Sequence, residues 1–196
     1  MHGLVNRSLQ GFLRDTYGAA IWANVARKAR LGFDGFEPMM SYDPALTEAV
    51  LAAAARILNR PPESVLEDLG TYLVSHPNTE RVRRLLRFGG ESFDDFLHSL
   101  EDLPERARLA LPDFNLPGLD LVECGEGRYQ LLITAPLVGA GHVMMGLLRA
   151  MADDYGALVL MEPLANQGRV EVIQIQLLDQ RHSVGRQFDL VGQTGL

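Results

Sequence analysis

The sequence predicts an α+β fold: an N-terminal helical part, then an antiparallel sheet with one crossing helix. Three observations carry that prediction. Up to about residue 117, apolar residues recur at helical spacing, as in Leu4, Val5, Leu9, Phe12 and Leu13, with polar residues between them. From about residue 118 the texture changes to short runs that alternate apolar and polar, most strictly in Val170–Leu178 (VEVIQIQLL). Between those runs lies one long apolar helix pattern, Val143–Tyr155. A single domain over 1–182, helical to about 117 and α/β from about 118, accounts for the chain, with a frayed tail at 183–196.

Each element has a local reason. Gly18 stops the first helix, and Ala19–Ala29 forms a second that carries Ile21, Trp22 and Val25. Gly32, Gly35 and Pro38 make Gly32–Met40 a loop. Asp43-Pro44 opens a helix to Leu58, since a proline in the first turn sacrifices no helical hydrogen bond. Asn59–Pro62 is a hinge into a fourth helix through Leu73. Thr79 is placed as the cap of RVRRLLRF, Gly89-Gly90 ends that helix, and Ser92 starts the one that holds His98. Pro104 must break any helix through His98, with Asp102 capping the next one and Pro104 in its first turn. Two strands follow (LDLVEC and RYQLLITAP) around a turn at Gly125–Gly127, and then Ala157–Pro163 and Val170–Leu178 around Gln167-Gly168.

Composition excludes several functions. With 47% hydrophobic residues in 196, the chain can bury a core without disulfides. The lone Cys124 rules out an intramolecular disulfide and a multi-cysteine zinc site, and suits a reducing compartment. A net charge of −7 argues against a nucleic-acid surface. No apolar run reaches the length of a membrane span, and Arg7 and Arg14 make the first segment an amphipathic helix and not a signal peptide. A soluble, cytoplasmic protein is expected.

Nothing in the chain reads as catalytic. There is no phosphate-cradling loop and no nucleophile elbow, and Gly139-Ala140-Gly141 lacks the rest of a dinucleotide fingerprint. The five histidines, His2, His76, His98, His142 and His182, contain no i, i+4 pair for zinc. His2 and His182 are expected to be exposed near the ends, and His76 to be a solvated turn residue. His142 begins an apolar helix near its cap. His98 lies just before the Pro104 break, where the bland reading is a surface histidine on an amphipathic helix. Asp94-Asp95 and Glu101-Asp102 suit first turns, where the helix dipole favours negative charge. Arg81, Arg83, Arg84 and Arg87 form a local basic face, solvated or in contact with a partner, and Met144, Met145 and Met151 are core filler.

Several stretches carry a family resemblance: MHGLVNRSLQGFLRDTYG, Leu69-Gly70 with Tyr72-Leu73-Val74, Phe96-Leu97 with Leu100-Glu101 and Leu103, Leu116-Pro117, and Met145-Gly146-Leu147-Leu148. Over about Met1–Leu178 the chain resembles the heme-nitric oxide/oxygen binding (H-NOX) family, a sensor domain also found in soluble guanylate cyclases. The resemblance implies a heme b pocket with an apolar distal side (Val5, Leu9, Val143), Pro117 pressing on the porphyrin, and propionate anchors at Ile133, Ala135 and Leu137. Two departures stand out. The family's proximal histidine falls at Pro104, and the three anchor positions have lost the polar Tyr-x-Ser-x-Arg groups.

On that resemblance the expected function is a heme-based sensor of nitric oxide, binding that gas or carbon monoxide, with no distal tyrosine to hold oxygen. His98 is the expected iron ligand and His142 the second candidate. Six residues of straight helix turn about 600°, so His98 reaches the proximal position only if the helix reorients at the break. The expected partner is a diguanylate cyclase or a histidine kinase. The alternative is a heme-independent module that holds a fatty acid or another apolar ligand in the former heme pocket.

Overall fold

The computed structural model describes residues 1–110, 116–136, 139–167 and 170–186. Among these, the first half is helical: α1 (Gly3–Tyr17), α2 (Ala19–Lys28), α3 (Pro44–Leu58), α4 (Pro62–Ser75), α5 (Glu80–Arg87), α6 (Phe93–His98) and α7 (Leu103–Ala110). Then come β1 (Gly118–Gly125), β2 (Arg128–Thr134), α8 (Ala140–Tyr155), β3 (Leu158–Gln167) and β4 (Val170–Asp179). The four strands form one antiparallel sheet in the order β1-β2-β4-β3. The α+β expectation therefore holds.

Local chemistry sets most boundaries. Asp43 accepts the Ala45 N–H at 2.9 Å, with Pro44 opening α3. Ser92 and Asp95 form a reciprocal capping box at α6. The Pro104 break is real, since α6 ends at His98 and α7 is a separate helix with Pro104 in its first turn. At three places the structure departs from the expected reading. Thr79 does not cap α5; its hydroxyl donates back to the carbonyls of Tyr72 and His76. His2, expected to be exposed, caps α1 by accepting the Leu4 N–H at 3.2 Å. Strand β3 continues through Pro163 to Gln167, beyond the expected end, because it is an edge strand where a missing backbone donor costs no ladder bond.

Two apolar clusters fill the molecule. One joins Leu9, Phe12, Leu13, Val50, Leu69 and Tyr72 of α1, α3 and α4. The other sets Leu131, Ile133, Ile173 and Ile175 of the sheet against Phe96 of α6 and Met145, Leu148 and Met151 of α8, so the methionines are core filler as expected. Helices α4 and α8 join the two halves at a crossing that only glycines permit. Val143 O crowds Gly70, and Glu67 O crowds Gly146, so closely that a Cβ at either glycine would overlap backbone.

Polar contacts hold α1 to α4. Asp15 accepts from Tyr72 Oη at 2.6 Å and Asn78 Nδ2 at 2.9 Å, and the His76 ring lies on Tyr72 with centroids 4.8 Å apart. His76 is thus a packed residue; its Nδ1 also accepts the Asn78 N–H at 3.2 Å. The Tyr72 and Asn78 hydrogen bonds hold the Asp15 carboxyl below its ordinary value of 3.8. A depressed carboxyl stabilises the fold above its unfolded pKa, and the contribution is lost as pH falls through the folded one. Thermal unfolding followed from pH 6 down to 2 should therefore show a steeper acid loss in wild type than in Asp15→Asn. Parallel curves would remove Asp15 from this role.

Candidate ligand-binding site

The α6–α7 break is the centre of the site the sequence points to. Leu97, Leu100 and Leu103 are buried below it, and Pro104 is buried at the start of α7. Glu101, in the connection, accepts the Leu121 N–H at 2.9 Å, which satisfies a donor on the free edge of β1 and ties the break to the sheet. Arg106, one turn along α7, donates to the Ser99 carbonyl at 3.0 Å and closes the connection from the other side.

His98 faces out from this region. Its side chain is 47% exposed, its Nε2 lies 3.4 Å from Glu123 Oε1 and 3.8 Å from Asp94 Oδ1, and its ring stands edge-on to Tyr129. Tyr129 donates to Asp94, and burial together with that carboxylate pushes the phenol up to about 12. These contacts make His98 a surface histidine between carboxylates on α6 and β1. The α6–α7 break does not turn it toward the interior.

His142 sits in the first turn of α8, its side chain 27% exposed, with Nδ1 3.4 Å from Glu67 Oε1 of α4. Arg149 donates to the other oxygen of Glu67 at 2.6 Å. A carboxylate beside one ring nitrogen fixes the orientation of the imidazole.

The apolar candidates divide between the clusters. Leu9 is buried and Val143 packs against the same α1–α4 cluster, while Val5 is half-buried one turn before Leu9. Pro117 is half-buried immediately before β1, and Leu137 lies outside the described residues. Of the anchor positions, Ile133 is fully buried in the sheet core and Ala135 half-buried, and neither side chain carries a polar group. The surface hollows of the helical half include two among the described residues. One of about 440 Å³ lies beside Trp22, Arg30 and Phe33, and one of about 500 Å³ beside Ala52, Arg56 and Pro61. Neither involves Val5, Leu9, Pro104, Pro117 or Val143.

These residues do not fit heme in the manner the resemblance implies. An axial ligand needs a lone pair aimed at iron, and the buried residue at that position is a proline. Among the described residues, no three of histidine, cysteine, aspartate and glutamate converge on a metal-sized space. Nor is any described helix long and apolar enough to cross a membrane.

The basic face expected on α5 is split by the fold. Arg83 and Arg87 turn inward to Asp154 of α8, and only Arg81 and Arg84 remain on the solvent side. Spacing hints at this division, because positions 83 and 87 share one helix face; the acid they meet is 71 residues from Arg83 in sequence.

Known proteins supply the frame for these observations. The Haem-NO-binding family model matches residues 2–162. The soluble guanylate cyclase gcy-31 of Caenorhabditis elegans is 22% identical over 154 residues, covering 79% of this chain and 22% of that protein. Soluble guanylate cyclase 89Da of Drosophila melanogaster is 20% identical over 155 residues, covering 79% and 23%. The chain thus spans less than a quarter of the length of these relatives. Among solved structures, an H-NOX protein from S. oneidensis superposes with a TM-score of 0.77 at 16% identity, covering 92% of this chain and 97% of that one. The unliganded Fe(II) H-NOX protein from K. algicida gives 0.73 at 14% identity, covering 92% and 98%. With most of its length matched by the family model and the whole architecture shared, the chain belongs to the Haem-NO-binding (H-NOX) family, whose domain is a sensor and not an enzyme.

Proposed function

We propose that this domain is a regulatory sensor module that acts on a partner signalling enzyme and whose input does not run through an iron–histidine bond on α7. The partner class is a diguanylate cyclase or a histidine kinase, and the setting is the cytoplasm. One observation carries the reading: the buried side chain at the start of α7 is Pro104, which has no donor for iron. The ligand class we assign to such an input is a fatty acid or a similar apolar molecule, because the anchor positions Ile133 and Ala135 carry no polar group to hold a propionate. The responsive element is the α6–α7 connection, which Glu101 links to β1 and Arg106 links to the end of α6. A ligand that packs better against one placement of α7 than another shifts the population, and a partner docked there reads the shift.

A second reading retains heme b, with nitric oxide or carbon monoxide as the gas. It is favoured by family membership and by the Glu67-held imidazole of His142. Protein reconstituted with heme separates the two. Wild type, His98→Ala and His142→Ala should all lack a stoichiometric Soret band, and mass spectrometry of the native protein should find an apolar ligand. A stoichiometric band in wild type that disappears in His142→Ala, or in His98→Ala, would sink the first reading and identify the iron ligand.

A further inference from the structure

Among the described residues, the face of the sheet turned away from the helices lies outside the apolar clusters; it is covered at the end where Val172, 2% exposed, lies opposite Leu132, and open toward the other end. Pairing register assigns its residues: Asp120 lies opposite Leu132, Val122 opposite Gln130, Gln130 opposite Gln174, Glu162 opposite Gln174 and Leu160 opposite Gln176. Residues one step along, such as Leu131, Ile173 and Ile175, belong to the core face. On the outer face four large apolar side chains are open to solvent, Val122 at 45%, Leu158 at 37%, Leu160 at 55% and Leu178 at 48%. Leu158, Leu160 and Leu178 gather where β3 meets β4, and Leu158 is two residues past Gly156, whose carbonyl accepts the N–H of Ser183 at 3.1 Å as the chain leaves the sheet.

We propose that this face is where a second copy of the chain docks. Charge points to that occupant. The protein carries −7, yet the middle of the face presents Gln130, Gln174 and Gln176 with the leucines, and its charges, Asp120, Glu162 and Arg128, lie on the edge strands or at a strand end. Two acidic molecules meet there with the least repulsion, whereas a strongly charged partner finds nothing to pair with. Four strands spaced about 4.8 Å apart and some seven residues long give at most roughly 450 Å² in plan, less the covered end at Val172. A standard interface buries about 800 Å² per partner, so the dimer is weak and reversible. The proposal stands whichever input the domain reads.

Sedimentation velocity from about 10 µM to about 500 µM tests it, a range chosen for an affinity of this class. Wild type should rise toward twice the monomer mass. Leu160→Lys and Leu178→Lys, both exposed positions, should stay monomeric with unchanged circular dichroism and melting. Phe88→Lys, at a 72% exposed aromatic on α5, should dimerise as wild type does. Wild type that is monomeric throughout would exclude a second copy and leave the face to some other apolar partner. Loss of dimer in Phe88→Lys but not in Leu160→Lys would place the interface elsewhere.

Discussion

Gly146→Ala should destabilise the domain by about 3 kcal/mol, at the upper end of ordinary overpacking. The new Cβ would lie 2.7 Å from the carbonyl carbon of Glu67 and closer still to its oxygen. A clash with a flexible side chain relaxes by rotation, but this one is with the backbone of α4, so α4 and α8 must move apart. Those helices tie the two apolar clusters together, and their separation would loosen both. Thr71 Oγ1, which donates to the Gly146 carbonyl at 3.3 Å, would lose that bond as well. Gly70→Ala meets Val143 O in the same way and should cost a similar amount. Gly11→Ala is the control: it lies in α1 and its Cβ would meet only Tyr72 Oη, at 3.4 Å. There the gain in helix propensity should stabilise by up to about 1 kcal/mol. For a domain of this size the Gly146 substitution should lower the melting temperature by roughly 6–12 °C. Equal melting of Gly146→Ala and Gly11→Ala would show that the crossing is looser than described.

Asp154→Ala should be the other severe change, costing about 3–5 kcal/mol, as removal of one partner from a buried ion pair does. The Asp154 side chain is fully buried. Arg83 donates to it through Nε at 3.0 Å to each oxygen and through Nη2 at 2.8 Å, and Arg87 Nε stands 3.8 Å away. Arg87 also lies over the Tyr155 ring at 3.9 Å, and Tyr155 Oη donates to the Gly90 carbonyl at 3.1 Å. Burial raises the Tyr155 phenol, so it remains a donor at neutral pH. The backbone carbonyl of Asp154 accepts the Arg186 N–H at 2.9 Å, so one residue anchors α5, α8 and the segment leaving the sheet. Urea unfolding should show the full loss for Asp154→Ala. Arg84→Ala, which removes only an exposed pair with Glu80, should cost under about 1 kcal/mol. A loss below that figure for Asp154→Ala would mean that α5 is held by its leucines alone.

An acid in the last turn of a helix opposes the helix dipole, so Asp154 looks unfavourable when α8 is considered alone. Its justification lies on α5. The same limit explains His98. Its neighbour Asp94 is visible one turn earlier in the sequence, but Glu123 reaches it only because β1 passes beside α6. A chain break before Pro104 is compatible with His98 turning inward or outward, and local rules contain nothing that chooses. His142 was legible as a residue near a helix start, and its partner Glu67, on α4, was not.

The amino-acid sequence by itself determined the α+β order, the α6–α7 break at Pro104, the capping of α3 and α6, and the strict alternation of β4. Each depends on residues a few positions apart, where backbone sterics and short-range hydrogen bonds decide. It also determined that the side chain of Pro104 has no lone pair for iron, because that is a matter of residue type. Only the tertiary structure decided that Arg83 and Arg87 serve a buried acid while Arg81 and Arg84 face water. Only it brought Gly70 and Gly146 to one helix crossing and placed His98 among surface carboxylates. Those outcomes join residues far apart in sequence, and packing of α4, α5 and α8 selects them through contacts that no local pattern encodes.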